Sequence, residues 1–287
     1  MIPPSFGYSA PSSLPEALKL LAQHGDEAKI LAGGHSLLPM MKFRFADPAH
    51  LIDLNRIAEL KGIREEGGII AIGAMTSESD LIDSRLLTQK LPLLAEAALQ
   101  IADPQVRNRG TIGGDIAHGD PANDHPAIML ALDATFVLAG PRGERSVPAS
   151  KFFHGTYMTE LQPDEILREV RIKPFAAKTG YAYSKLKRKT GDFASAAAAV
   201  VMTMSGDTVS AIRIGLTNLA PTAIRAEAAE AALQGKPLTD ANIDAAAKAA
   251  MSVCDPAEDL RGDVEYKTAM AGEMVKRAIR LAASRCR

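Results

Sequence analysis

The alternation of apolar and polar positions predicts a small α/β unit over residues 1–55. Apolar residues recur at helical spacing over 14–22, behind Ser13 and Glu16, which have the spacing of a capping box. Short apolar strands are predicted at 29–32 and 50–54. The first of these strands leads directly into a pair of glycines, so a ligand-sized turn is expected at its end.

The pattern predicts a second α/β subdomain over 56–177. Its expected elements are a hairpin around a polar glycine turn, two helices before a second glycine pair, a helix opened by Asp124 with Pro126 in its first turn, and further strands. The predicted ranges are 63–72 for the hairpin, 77–84 and 92–101 for the two helices, and 135–138 and 166–172 for the strands.

The remaining residues, 178–287, have a different organisation. Three strands are predicted at 181–186, 196–204 and 209–216, and alanine-rich stretches with helical spacing follow to residue 283. Strands followed by segregated helices indicate an α+β domain, here a three-stranded sheet plus helices. The sequence therefore predicts an α+β protein divided into 1–177 and 178–287.

Composition narrows the function classes. The 287 residues are 47% hydrophobic and 23% charged with a net charge of −1, which excludes a general polyanion-binding surface but leaves a local basic patch open. We expect no nucleic-acid partner. No apolar run approaches the roughly 20 residues of a membrane span, and the first residues lack a signal-peptide pattern, so a cytoplasmic protein is expected. Two cysteines are too few for an iron–sulfur or four-thiolate zinc site. Any redox chemistry must then come from an organic cofactor or a partner.

Two glycine pairs carry the candidate chemistry. They lie in the segments 32–37 (AGGHSL) and 111–115 (TIGGD), each with a hydroxyl at Ser36 or Thr111. Neither fits the G-x-G-x-x-G or P-loop spacing. Successive backbone N–H groups in such turns can hold phosphate oxygens, and two turns that converge predict a diphosphate site. The alternative, that both pairs are structural turns, stays open on spacing alone.

A second cluster contains residue types that can bind a metal, but their spacing does not favour a metal site. His118, Asp120, Asp124 and His125 lie close together in sequence. No helical pair of metal ligands such as H-E-x-x-H is present, and the segment is rich in glycine and proline. We therefore expect no metal in this chain.

The glycine segments also carry a family resemblance. Residues 32–42 (AGGHSLLPMMK) and 111–115 resemble the FAD-binding medium subunits of the molybdenum hydroxylases, most of all those of aerobic carbon monoxide dehydrogenases. The likeness extends over nearly the whole chain and includes 103–107 (DPQVR) and 183–189 (YSKLKRK). It implies a two-subdomain FAD-binding fold of the vanillyl-alcohol-oxidase type, followed by the C-terminal domain that is typical of these medium subunits.

The resemblance also implies cofactor-binding roles for particular residues. The two glycine segments would wrap the diphosphate and adenosine, Ile101 would pack on adenine, and Asp124 would accept ribose hydroxyls. Leu167 and Lys185 match positions near the isoalloxazine, and Phe193 stands where related proteins can carry tyrosine. The implied cofactor-binding residues are Ala32, Gly33, Gly34, His35, Ser36, Leu37, Ile101, Thr111, Ile112, Gly113, Gly114, Asp115, Asp124, Leu167, Lys185 and Phe193.

Several of these residues have plainer interpretations. Ile101 on a helical stripe is ordinarily a core residue, and Lys185 belongs to a basic run that could be a solvated face or a docking patch. Asp124 ahead of Pro126 could be a helix cap and nothing more. Asp115 is often asparagine in relatives, so its charge calls for a hydroxyl partner or a cap.

The function that the resemblance implies is electron transfer through FAD. A large molybdenum subunit would oxidise CO with water to CO2, and a small subunit with [2Fe-2S] clusters would pass electrons to this chain and on to a quinone-type acceptor. A dimer of heterotrimers, peripherally associated with the inner face of the cytoplasmic membrane, is the expected assembly. This chain would hold neither catalytic residues nor molybdopterin. The alternatives are the medium subunit of a xanthine, aldehyde or nicotinate hydroxylase, a flavin-free docking subunit, and a self-sufficient flavin oxidase.

Overall fold

Three parallel strands and two helices form the N-terminal subdomain in the computed structural model, which describes residues 2–286. The elements are β1 (Gly7–Ser9), α1 (Leu14–His24), β2 (Ala28–Leu31), α2 (Leu37–Lys42) and β3 (His50–Asp53). The strand order is β1–β3–β2. Strand β1 was not predicted from the sequence, because a segment of three residues is too short to show periodicity.

Helix α1 begins where the capping pattern predicts. The Ser13 hydroxyl accepts a hydrogen bond from the backbone N–H of Glu16. The Glu16 carboxylate accepts from the backbone N–H of Ser12 rather than Ser13, so only one half of the predicted box forms. The helix ends at His24, and the capping residue Gly25 that follows has a φ of 51°, which suits a residue without a side chain.

An antiparallel sheet of five strands, in the order β4–β5–β10–β6–β7, forms the second subdomain. The predicted hairpin over 63–72 and the strands at 135–138 and 166–172 are confirmed. The strands are β4 (Ile63–Glu66), β5 (Ile69–Gly73), β6 (Thr135–Gly140), β7 (Gly143–Pro148), β8 (Phe153–Gly155), β9 (Met158–Thr159) and β10 (Ile166–Ile172). The helices are α3 (Glu78–Asp83), α4 (Arg85–Lys90), α5 (Pro92–Ala98), α6 (Pro104–Arg107), α7 (Ile112–His118) and α8 (Asp124–Leu132).

The second glycine pair is not a turn, contrary to the sequence-based expectation. Gly113 and Gly114 occupy the first turn of α7, where the Thr111 hydroxyl caps the helix by accepting from the Gly114 N–H. Glycine is a poor helix former, so the pattern gave no helix here. Tertiary contacts override that preference, because the N–H groups of Ile112 and Gly113 donate to backbone carbonyls that precede α3.

The C-terminal sheet has four strands rather than the predicted three. Its order is β11–β12–β13–β14, and the additional strand is only two residues long. Three helices follow, as the alanine-rich spacing predicts. The elements are β11 (Thr179–Leu186), β12 (Ala196–Ser205), β13 (Thr208–Thr217), β14 (Ile224–Arg225), α9 (Glu227–Leu233), α10 (Asp240–Met251) and α11 (Val264–Ser284).

Helix α8 joins the second subdomain to the C-terminal sheet. All nine of its residues are buried, and it packs so closely on β13 that a Cβ at Gly215 would lie 2.0 Å from the Ala127 carbonyl oxygen. The other face of the sheet packs on α11. Because the start of α8 is buried, the charged residues there need partners inside the protein.

Candidate functional site

A cavity of about 690 Å³ lies where the three parts of the chain meet. Its wall comes from the segment after β2, from the starts of α7 and α8, and from β11 with the loop that follows it. A volume of this size falls within the roughly 300–1,000 Å³ typical of ligand and cofactor sites.

The two glycine segments contact each other directly at this cavity. A Cβ on Gly33 would lie 2.4 Å from the Arg109 carbonyl oxygen and 2.8 Å from the Cα of Gly110. A Cβ on Gly114 would lie 3.3 Å from that of Ala32. Glycine is required at position 33 by this approach of two backbones, which brings together segments that are far apart in the chain.

The first segment presents unused backbone donors to the cavity. Within residues 2–286, the N–H groups of residues 33–37 donate to no protein acceptor. Gly34 has a φ of 78°, and the Asn55 amide donates to the Ala32 carbonyl at 2.9 Å, which fixes the start of the segment. Consecutive free N–H groups at a left-handed residue form an anion-binding concavity.

The second segment has its donors committed to the protein, which corrects the expectation that both segments offer bare amides. The N–H groups of Ile112 and Gly113 donate to the carbonyls of Thr76 and Ala74 at 3.1 and 2.9 Å. Those of Gly114 and Asp115 donate to the hydroxyl and carbonyl oxygens of Thr111. Helix α7 can therefore contact a ligand through side chains but not through free N–H groups of these residues.

A buried ion pair links α8 to β11 beside the cavity. Lys185 Nζ lies 2.7 Å from Asp124 Oδ2, and the two side chains are 1% and 5% exposed. The Tyr183 hydroxyl donates to Asp124 Oδ1. Burial, together with this carboxylate, raises the pKa of Tyr183 well above its usual value, so the phenol remains a donor. Asp124 thus anchors Lys185 and Tyr183 of β11 to the start of α8. The N-terminal cap position of that helix is Asn123, not Asp124.

A second buried group of charges lies behind the α7 wall. His125 Nε2 contacts Glu78 Oε2 at 2.9 Å and Oε1 at 3.0 Å. Burial opposes the charged imidazolium, but the attraction and hydrogen bond of Glu78 outweigh it and raise the pKa of His125 to about 9. Burial raises the pKa of Asp115 to about 8; the attraction of His125 opposes this shift, and repulsion by Glu78 and Asp124 adds to it. Two buried polar atoms, Asp115 Oδ2 and His125 Nδ1, have no partner among the described residues.

The loop after β11 forms the remaining wall and carries Phe193. Its Asp192 is buried and accepts from Arg261 Nη2 and Arg188 Nε, both at 2.9 Å. Burial opposes ionisation of Asp192, but these two arginines lower its pKa overall. The Arg261 guanidinium also lies 5.4 Å from the centroid of the Phe193 ring. The loop is therefore held by the segment that precedes α11.

Most of the implied cofactor-binding residues line this cavity, and three do not. Ile112 and Leu167 are buried in the apolar core of the second subdomain, and Gly113 packs on Ala74. The predicted residues that line the cavity are Ala32, Gly33, Gly34, His35, Ser36, Leu37, Ile101, Thr111, Gly114, Asp115, Asp124, Lys185 and Phe193.

The structure excludes two of the plainer interpretations. Ile101 lines the cavity and is only half-buried, so it is not a core residue. The Lys185 side chain is buried, so this part of the basic run is not a solvated face. Sequence reasoning missed Glu78, which lines the cavity and lies 47 positions from its partner His125. No local signal could have revealed so distant a pair.

The chemistry of the wall fits a dinucleotide cofactor with a diphosphate. Free backbone N–H groups suit phosphate oxygens, buried carboxyl groups suit ribose or ribityl hydroxyls, and apolar side chains such as Ile101 and Phe193 suit flat rings. Within residues 2–286 no group of three metal-ligating side chains is assembled. None of the helices there has the length and apolar character needed to cross a membrane.

Comparison with known proteins agrees with this geometry. The family described as the FAD binding domain in molybdopterin dehydrogenase matches residues 4–175. The family described as the CO dehydrogenase flavoprotein C-terminal domain matches residues 181–282. Together these matches cover most of the chain.

Individual relatives match over their full lengths. The carbon monoxide dehydrogenase medium chain of Hydrogenophaga pseudoflava is 64% identical over 286 residues, with 100% of each chain covered. The carbon monoxide dehydrogenase medium chain of Afipia carboxidovorans is 50% identical over 287 residues, again with 100% of each chain covered. A solved structure of carbon monoxide dehydrogenase from Hydrogenophaga pseudoflava, lacking the Mo-pyranopterin moiety of the molybdenum cofactor, superposes with a TM-score of 0.99 at 67% identity, covering 100% of both chains.

These findings confirm the predicted α+β flavin fold with its C-terminal domain, and FAD as the cofactor of the fold. The chain belongs to the family of FAD-binding subunits of the molybdopterin dehydrogenases, in the branch that carries the CO dehydrogenase flavoprotein C-terminal domain.

Proposed function

We propose that this chain is the FAD-carrying electron-transfer subunit of a carbon monoxide dehydrogenase complex. In that complex CO and water become CO2, two protons and two electrons at a partner subunit, and the electrons pass through this chain. The observation that carries the proposal most is the 64% identity, over full length, to a relative named carbon monoxide dehydrogenase medium chain.

The roles we assign to the residues follow from the cavity wall. The free N–H groups of residues 33–37 bind the diphosphate. Asp124 keeps lone pairs for a ribose or ribityl hydroxyl beside its bonds to Lys185 and Tyr183, since an ionised carboxylate accepts about four hydrogen bonds. FAD, once bound, supplies the redox chemistry, because a flavin accepts electrons singly or in pairs.

The side chains near the end of β11 are assigned to the isoalloxazine end. Lys185 places a positive charge at the wall, which stabilises negative charge on a reduced ring, and Phe193 excludes water from it. Ile101 packs on the adenine, as the resemblance implies. Ile112, Gly113 and Leu167 support the wall from behind rather than touch the cofactor.

We further propose the assembly that the family resemblance implies. The chain has two cysteines, fewer than the four thiolates of a [2Fe-2S] cluster, so the clusters are assigned to a small iron–sulfur partner that delivers the electrons. A large molybdenum subunit is assigned as their source. A dimer of heterotrimers, a quinone-type acceptor and peripheral association with the inner face of the cytoplasmic membrane complete the proposal. Within the chain, 1–177 would be the FAD-binding part and 178–287 the C-terminal domain.

The test is to purify the chain with its native partners through an affinity tag and to measure flavin, molybdenum, iron and CO-dependent reduction of an artificial acceptor. We expect the complex to oxidise CO, and the lone chain loaded with FAD to be inactive. CO oxidation by the lone chain would contradict an electron-transfer role. A complex active on a purine, an aldehyde or a nicotinate but not on CO would make it another hydroxylase, and a flavin-free active complex would make it a docking subunit.

A further inference from the structure

The α7 wall of the cavity has a carboxyl group whose hydrogen bonds within the protein are incomplete. Asp115 lines the cavity, and its Oδ2 is buried without a partner among the described residues. The nearby Asn123 amide donates to the backbone carbonyl of Asp115, not to its carboxyl group. The Oδ2 atom therefore has hydrogen-bonding capacity that the described protein does not use, at a place where the backbone N–H groups are already committed.

Within residues 2–286, Asp115 has no ion-pair partner of its own, and the attraction of His125 only partly offsets the effect of burial on its pKa. Two other carboxyl groups, Glu78 from α3 and Asp124 from α8, are buried at the same wall. The two buried cations are committed elsewhere, His125 to Glu78 and Lys185 to Asp124. Three carboxyl groups and two cations leave one negative charge uncompensated, and a proton on the remaining carboxyl group neutralises it at the lowest cost.

The other titratable groups at this wall do not supply the missing charge. Burial lowers the pKa of His118, which is on the same helix and lines the cavity, so its imidazole is neutral at pH 7. Tyr183 on β11 donates to Asp124. Burial raises the pKa of Asp115 itself to about 8, in agreement with the charge count.

We propose that Asp115 binds FAD as a neutral carboxylic acid whose Oδ2–H donates a hydrogen bond to an oxygen of the cofactor. This inference rests on the proposed function, since it requires FAD in this cavity. The diphosphate brings further negative charge to the wall, so an ionised Asp115 would repel it, whereas the acid form donates to a phosphate or ribityl oxygen. The acid form thus gives α7 a hydrogen-bond donor to the cofactor, as the free backbone N–H groups do in residues 33–37.

The test is the pH dependence of FAD affinity, measured by spectral titration of the deflavinated complex. For the wild type we expect constant affinity up to about pH 8 and then a loss of about tenfold per pH unit, because the bound form must keep the proton. Asp115→Asn retains a donor and carries no charge. It should bind FAD as tightly as the wild type at pH 7 and show no such loss.

The controls separate this effect from others. Ionisation of the flavin affects wild type and variant alike, and so does any titration of His118. Asp83→Asn makes the same chemical change at an exposed helix position and should keep the wild-type profile. Asp115→Leu, which cannot donate, should bind at least about tenfold more weakly at every pH.

Folding is monitored in the same samples through the melting temperature. The Asn variant should melt at or above the wild type at pH 7, since a carboxyl group with a raised pKa destabilises the folded state as pH rises above its unfolded value. An Asn variant that keeps the wild-type pH profile, or binds tenfold more weakly at pH 7, overturns the proposal for Asp115 alone. A wild-type complex that takes up no FAD at any pH overturns the proposed function as well.

Discussion

At the scale of single residues, two positions decide whether the cavity exists. Gly33 allows the backbone after β2 to touch the backbone before α7, and Gly34 turns the chain with a positive φ so that the next N–H groups face the cavity. Both roles require a residue without a side chain. The glycine segments therefore act first as packing elements, and only the first of them provides backbone donors.

Gly33→Ala tests this contact. The added Cβ would lie 2.4 Å from the Arg109 carbonyl oxygen, and backbone cannot move aside as a side chain can. We expect a loss of about 1–3 kcal/mol in the free energy of unfolding, together with loss of bound flavin. Gly155→Ala is the matched control, because its Cβ meets only the flexible Met158 side chain at 3.4 Å and should change stability by less than about 0.5 kcal/mol. Equal behaviour of the two variants in urea unfolding would refute the contact.

At the scale of elements, the loop after β11 depends on a segment from far along the chain. Arg261 donates to buried Asp192 through Nε and Nη2, and its backbone carbonyl accepts from the Ser195 hydroxyl. Buried Lys267 anchors the same segment through Asp259 and the Ala257 carbonyl. The position of Phe193 is thus set by the C-terminal domain.

Arg261→Ala should loosen this loop. Removing hydrogen bonds to a buried carboxylate costs about 1.5–3 kcal/mol, and we expect that loss in the free energy of unfolding together with faster proteolysis near residues 188–193. Arg277→Ala removes an exposed ion pair with Glu273 and should cost only about 0.3–0.5 kcal/mol. If both arginine variants lose the same small amount and resist proteolysis equally, the loop is not held by Arg261.

Elements with clear periodicity could be predicted from the sequence, and elements fixed by tertiary contacts could not. The three long strands of the C-terminal sheet and helix α1 follow from apolar spacing and caps. Helix α7 contains two glycines and forms because its first N–H groups meet distant carbonyls, and β14 has only two residues. At the site, the glycine segments were visible as motifs, whereas the pair of Glu78 and His125 was not, because it joins separate helices.

At the scale of the whole molecule, the cavity is a product of all three parts of the chain. The N-terminal subdomain gives free amides, the second subdomain gives the α7 wall and buried carboxyl groups, and the C-terminal domain gives Lys185 and Phe193. Helix α8 fixes their arrangement, since it is buried between the second subdomain and the C-terminal sheet. A chain lacking 178–287 would therefore lose one wall of the site.

The most direct test of the account is the flavin content of the purified complex, released by denaturation and quantified against this chain. We expect one FAD per chain in the wild type. Gly34→Val should contain none, because valine resists a φ of 78° and its Cβ would lie only 3.0 Å from the Leu38 side chain and 3.3 Å from that of Leu31. A wild-type complex without FAD, or a folded Gly34→Val complex with full FAD, would contradict the claim that the cavity between the glycine segments holds the flavin.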